Sequence, residues 1–175
     1  MQKGGGNMLV NIDYQRFAAV EYALKWAYAR NPRFYDFEDL GGDCTNFVSQ
    51  CLYAGCGVMN YSGFVDGWYY IDGNDRSASW TGVQYLRRFL LNNKGTGVYG
   101  EEAPLARMEP GDVIQLRNRD GVLYHSLFVS YVKQPVIPEN IFICAHSVDA
   151  RDRRLSTYNY TAAECIHILG ARYEE

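Results

Sequence analysis

MEPGDVIQLRNRDGVLYHSLFVSYV, residues 108–132, decides the fold. A Pro-Gly start, an apolar run, a turn signal at Asp120-Gly121 and a second apolar run from His125 together read as a β-hairpin. Two further runs, NIFICAHSV (residues 140–148) and ECIHILGARY (residues 164–173), extend it into an antiparallel sheet, the first after the proline-bearing link KQPVIPE. The first half has a different period. Residues 14–30 place Phe17, Val20, Leu24 and Ala27 at helical spacing behind Asp13 as a cap, and Asn31-Pro32 ends the helix. A second helix is expected over residues 44–53, with Phe47, Val48, Cys51 and Leu52 as its apolar stripe and Gly55 as C-cap. A third, capped by Thr81, runs through Val83, Leu86, Phe89 and Leu90 to the polar NNKGTG. Helices followed by an antiparallel sheet define an α+β fold.

No repeat or low-complexity linker divides residues 1–175, so one domain is expected. Residues 1–7, with their glycine run, read as an added or irregular lead-in, the natural segment starting near Met8. Residues 57–80, rich in Gly, Tyr, Trp, Asp and Ser without a sustained period, read as a long aromatic insertion of the kind that carries function.

Hydrophobic residues make up 47% and charged residues 21% of the 175, which suits a packed core and excludes disorder. The net charge of −3 offers no broad basic footprint, so nucleic acid is not expected as a partner. No apolar run reaches the roughly eighteen residues of a membrane span, and MQKGGGNMLV lacks the core of a secretory signal. The chain reads as soluble, with secretion or cell-wall association open if a leader has been removed. Fifteen tyrosines suit either an extended contact surface or an aromatic core edge. The five cysteines, at 44, 51, 56, 144 and 165, cannot all pair within one chain. None forms CxxC, and the three histidines lie on separate downstream segments, so neither a metal site nor a cofactor is expected.

GGDCTNFVSQCLYAGC, residues 41–56, sets Cys44 at the start of the second helix. There the helix dipole and unpaired amides stabilise a thiolate; lowering an ordinary pKa of about 8.5 by roughly two units makes the thiol mostly ionised at neutral pH. The two glycines ahead of Cys44 leave room for a substrate backbone beside the sulfur. Cys51 and Cys56 read as packing thiols, and Cys144 and Cys165 as strand residues. His125, opening a strand after the hairpin, is placed to act as base, and His146 on the neighbouring strand is placed to orient it. His167, among apolar residues, reads as structural.

GGDCTNFVSQCL, then PGDVI, then a histidine opening a strand, resembles the papain-like NlpC/P60 superfamily of cysteine peptidases and amidases. Within it the chain is most similar to the putative amidase domains of bacteria, on the strength of YQRFAAVEYALKWAYARNP before the cysteine block and AHSVDARDRRLSTY near the end. The resemblance covers residues 14–158. It implies a papain-like arrangement of helices on a sheet or partial barrel, with Cys44 as nucleophile, His125 as general base and then acid, and a polar third residue. His146 matches that third position best, with Asp149 and Asn140 as rivals. It also implies the Cys44 amide as an oxyanion-hole donor. Asp43 matches an acid that holds a substrate amine, and reads equally as a helix cap. Asn46 stands where the common DCSGFV pattern has glycine, and is expected to crowd the site and alter specificity.

The leading expectation is thus a thiol amidase or peptidase acting through an acyl-cysteine on a peptide or amide substrate, with cell-wall peptides among the candidates. Two alternatives stand beside it. One is a non-catalytic glycan- or peptide-binding module gripping its ligand with Trp68, Tyr69, Tyr70 and Trp80; the other is an acyl transferase sharing the Cys-His site.

Overall fold

The computed structural model describes residues 8–175, so the expectation for residues 1–7 lies outside the described residues. Its elements in chain order are β1 (Leu9–Ile12), α1 (Arg16–Trp26), α2 (Cys44–Cys56), α3 (Ala78–Thr81), α4 (Val83–Asn92), β2 (Gly97–Glu102), β3 (Val113–Arg117), β4 (Leu123–Val132), β5 (Ile141–Ala145), β6 (Ala150–Arg154) and β7 (Ala162–Glu174). Helices precede most of an antiparallel sheet, an α+β arrangement.

Helix α1 starts at Arg16, behind Gln15 rather than Asp13, and no side chain caps it. Its inward face is Ala19, Ala23 and Ala27, all fully buried, whereas Phe17 is 75% exposed. Small side chains four apart let α1 lie close on α2. At that contact a Cβ on Gly55 would meet Ala19 Cβ at 3.1 Å and the Tyr14 ring at 2.3 Å. Gly55 is therefore a close-approach residue rather than a cap. The helix continues to Cys56 and ends at Gly57, whose φ of +70° places it in the left-handed region suited to glycine.

Thr81 ends the short α3 instead of capping the next helix; Gly82 occupies the N-cap of α4. The aromatic insertion packs inward. Trp68 and Trp80 are fully buried with ring centroids 5.0 Å apart. Trp68 Nε1 donates to Ser49 Oγ at 3.1 Å and Trp80 Nε1 to Asn46 Oδ1 at 2.9 Å, so each indole fills the core and keeps its polar handle satisfied.

The sheet order is β1-β7-β3-β4-β5-β6, with β2 also pairing β7, and the pairs are antiparallel. The expected hairpin is β3–β4, in register from Val113 opposite Phe128 to Leu116 opposite His125. Asn118 Oδ1 accepts from the amides of Asp120 and Val122 and fixes its turn. Both sheet faces are covered. Val113, Phe128, Cys144 and Ile166 pack under the helices, while Ile114, Leu116, Leu127, Val129, Ile141 and Ile143 form a second core with Met108 and Leu155. Alternation along buried strands thus feeds two cores, which is why β3 to β5 read as nearly continuous apolar runs.

Candidate active site

Gly41 and Gly42 have φ of +102° and +104°, a conformation only glycine adopts easily, and they turn the chain sharply into α2. Cys44 is the first helical residue. The Thr45 hydroxyl lies 3.0 Å from Ser126 Oγ, which also accepts from Gln115 Nε2 at 3.1 Å, so the start of α2 is fastened to β4. His125, the residue before Ser126, shares with Cys44 a cavity of about 480 Å³. Tyr124, Ser147, Val148, Arg153 and Tyr158 complete most of its wall. Cys44 and His125 are 8% and 7% exposed, so both are nearly sealed but open to this space. A larger cavity of about 710 Å³, near Tyr61 and Tyr173, is lined by neither a cysteine nor a histidine.

The electrostatics differ from the expected thiolate. Burial pushes the Cys44 thiol up; the Ser126 amide and the Thr45 hydroxyl and amide pull it down but do not outweigh burial, and Asp43 adds to the rise. Burial, and then the positive charge of Arg153, push His125 down to about 4. The resting pair at neutral pH is a thiol facing a neutral imidazole. The other four cysteines are also buried and free, with thiols pushed up by burial, and none lines this cavity.

The structure does not bring His146 to His125. His146 Nδ1 lies 2.5 Å from Asp43 Oδ2 and its Nε2 lies 2.9 Å from the Trp26 carbonyl oxygen, while its ring stacks on Phe47 with centroids 4.1 Å apart. Both ring nitrogens are thus engaged by Asp43 and the Trp26 carbonyl, and neither is turned to His125. The rivals do not reach it either. Asp149 is held in a two-pronged pair by Arg30 at 2.9 and 3.0 Å, and Asn140 donates to the Pro135 carbonyl. Among the described residues no hydrogen bond reaches the His125 ring; Tyr124 stacks beside it and Tyr158 lies 5.7 Å away.

Asp43 is not placed to meet a substrate amine. It is fully buried, accepts from the Phe37 amide at 2.9 Å and Asn46 Nδ2 at 2.7 Å, and faces His146 with its other oxygen. Nor does its carboxylate cap its own helix. Asn46 is also fully buried, donating to the Tyr35 carbonyl and Asp43 and accepting from Trp80, so it braces the helix start and does not crowd the cavity. Trp68, Trp80 and Tyr70 are core residues, which leaves only the half-buried Tyr69 of the four aromatics expected to grip a ligand. Tyr124, Arg153 and Tyr158 were not singled out by sequence. The last two lie in AHSVDARDRRLSTY, where a run of arginines looks like a solvated face.

Among the described residues no group of three His, Cys, Asp or Glu side chains is gathered to hold a metal ion, and no helix is long and apolar enough to cross a membrane.

A putative amidase domain family matches residues 13–169, nearly the whole chain. The chain belongs to that family. It is 34% identical over 154 residues to the uncharacterized protein YhbB of Bacillus subtilis (strain 168), covering 86% of this chain and 47% of that protein. It is 31% identical over 125 residues to the uncharacterized protein YjcM of the same organism, covering 67% of this chain and 28% of that protein. The chain thus spans less than half the length of these two relatives. No solved structure matches it. The family match supports hydrolysis at amide bonds in general, while the papain-like NlpC/P60 kinship expected from the motifs has no support in these comparisons.

Proposed function

We propose that this domain is a thiol amidase in which Cys44 is the nucleophile and His125 the proton carrier. The observation that carries the reading is the opening of both side chains, from the start of α2 and the start of β4, into one cavity. His125 takes the proton from Cys44 Sγ as the sulfur attacks the amide carbonyl, forming the S–C bond and a tetrahedral oxyanion. The Cys44 amide, at a helix start where the first amides lack intrahelical partners, is the donor best placed to meet that oxygen. The imidazolium returns its proton to the amine as the C–N bond breaks. His125 next deprotonates a water that attacks the thioester, and the sulfur leaves as the thiol while the acid product departs.

The amide-hydrolase family supports the reaction class, and the bacterial relatives keep cell-wall peptides among the substrates to try first. The test is a panel of peptide amides and purified cell-wall fragments, with intact-protein mass spectrometry to trap an acyl group on Cys44. Turnover lost in both Cys44→Ala and His125→Ala is the expected result. Full turnover in Cys44→Ala sinks the reading.

A further inference from the structure

Arg153 stands at the wall of the Cys44–His125 cavity with its positive charge unmatched. Among the described residues no carboxylate pairs with it, whereas Arg30 is surrounded by Asp36, Glu38, Asp43 and Asp149. Nor is Arg153 a loose surface side chain. Its Nε donates to Thr157 Oγ1 at 2.8 Å and its Nη2 to the Thr157 carbonyl at 3.0 Å, and Thr157 Oγ1 in turn donates to the Arg154 carbonyl at 2.7 Å. The guanidinium carbon lies 3.9 Å from the centre of the Tyr158 ring. One edge of the planar group is therefore spent on holding its position, the Tyr158 side chain is a further partner, and the Nη1 end makes no bond to Thr157. That end has the fork geometry that matches a carboxylate with two parallel hydrogen bonds.

We infer that Arg153 is a specificity-determining residue that seats a carboxylate of the substrate close to the amide attacked by Cys44. The inference rests on the thiol-amidase reading and narrows its substrates to amides bearing a nearby carboxylate, such as an acidic residue or a chain-terminal one. The other charged group on the cavity wall, Glu38, accepts from the Ser147 hydroxyl at 3.0 Å and lies 4.0 Å from Arg30, so its charge is already answered. Seating an anion on Arg153 also removes one of the two causes that hold His125 down, so the bound substrate makes its own base stronger.

The test needs no known substrate. Iodoacetate and iodoacetamide alkylate the same sulfur but differ in charge, and peptide mapping reads their rates at Cys44 in the native chain. The expected rate ratio, iodoacetate over iodoacetamide, is at least about 10-fold higher at Cys44 than for the small uncharged thiol 2-mercaptoethanol. It falls to the 2-mercaptoethanol value in Arg153→Gln, stays partly raised in Arg153→Lys, and is unchanged in Arg119→Gln on the exposed hairpin. A wild-type ratio no higher than that of 2-mercaptoethanol, or a raised ratio that survives in folded Arg153→Gln, overturns the inference and leaves Cys44 as nucleophile intact. Failure of both reagents to label native Cys44, when both label it after denaturation, overturns the thiol-amidase reading and the inference together.

Discussion

At the scale of the residue, two shifts in opposite directions set the chemistry. His125, pushed down to about 4, is a neutral base at any pH well above that value, and Cys44, pushed above the ordinary thiol range, stays protonated through neutrality. Activity is lost only when the imidazole is already protonated before attack. The pH profile of kcat/KM should therefore show its acid limb near pH 4 rather than near 6.5, then remain flat through pH 8. Measured rates that halve near pH 6.5 would mean that the base is not the buried His125. His146 gives the contrasting case. Its ring faces a fully buried carboxylate, and cutting it to alanine in His146→Ala leaves Asp43 short of its closest partner, at a cost of about 3 kcal/mol. Urea unfolding is the measurement. Wild-type stability with a collapsed kcat would instead assign His146 to the reaction.

At the scale of the element, the turn between β5 and β6 concentrates the strain of the site. Ser147 and Val148 have φ of +60° and +72°, and for a β-branched residue that is a rare conformation costing about 1–2 kcal/mol. Neighbours hold it in place. Ser147 Oγ accepts from the Asp43 amide at 2.7 Å, Arg30 grips Asp149, and Asp43 grips His146, so three of the four residues 146–149 are tied to the start of α2 or its surroundings. Val148 is 77% exposed and loses little burial on substitution. Val148→Asn, which tolerates positive φ, should raise stability by about 1 kcal/mol, seen as a higher urea midpoint with an unchanged slope; an unchanged midpoint would mean the turn carries no such strain. The sequence shows why this turn and its outer strand were hard to foresee. ARDRR, the β6 segment, has no apolar alternation because it is an edge strand, and edges are commonly kept charged. Strands β1 and β2 were missed for a related reason, being short or glycine-bearing segments that gain order only by pairing with β7. The central hairpin was legible because turn chemistry and buried runs agree there. So were the cysteine at a helix start and the histidine at a strand start, since both follow from local signals. The partners of Asp43, Asn46 and His146 were not, because they depend on which distant loops fold over α2.

At the scale of the whole molecule, the PGD segment that opens β3 joins the helical layer to the sheet. Asp112 is fully buried, and its two oxygens serve four groups: Arg16 Nη1 at 2.8 Å, the Ile168 and Glu109 amides at 3.0 Å each, and His167 Nδ1 at 3.0 Å. Arg16 extends the link by donating to the Pro110 and Ile168 carbonyls, and Tyr14 donates to the Gly111 carbonyl. One carboxylate thus locks the start of α1, the entry to β3 and the middle of β7 in register, on the strands that also carry both cores. Removing it leaves a buried amide, a histidine and an arginine short of an acceptor at once. Asp112→Ala should cost about 3–5 kcal/mol, the range for breaking a buried pair, read as a lowered denaturant midpoint with circular dichroism and tryptophan fluorescence falling together. The tryptophan signal is informative because Trp68 and Trp80 sit in the helical layer, far in sequence from the substituted turn. Loss of the fluorescence transition ahead of the circular dichroism one would show that the helical layer comes away before the sheet, and that Asp112 is a joint between two units rather than a lock within one.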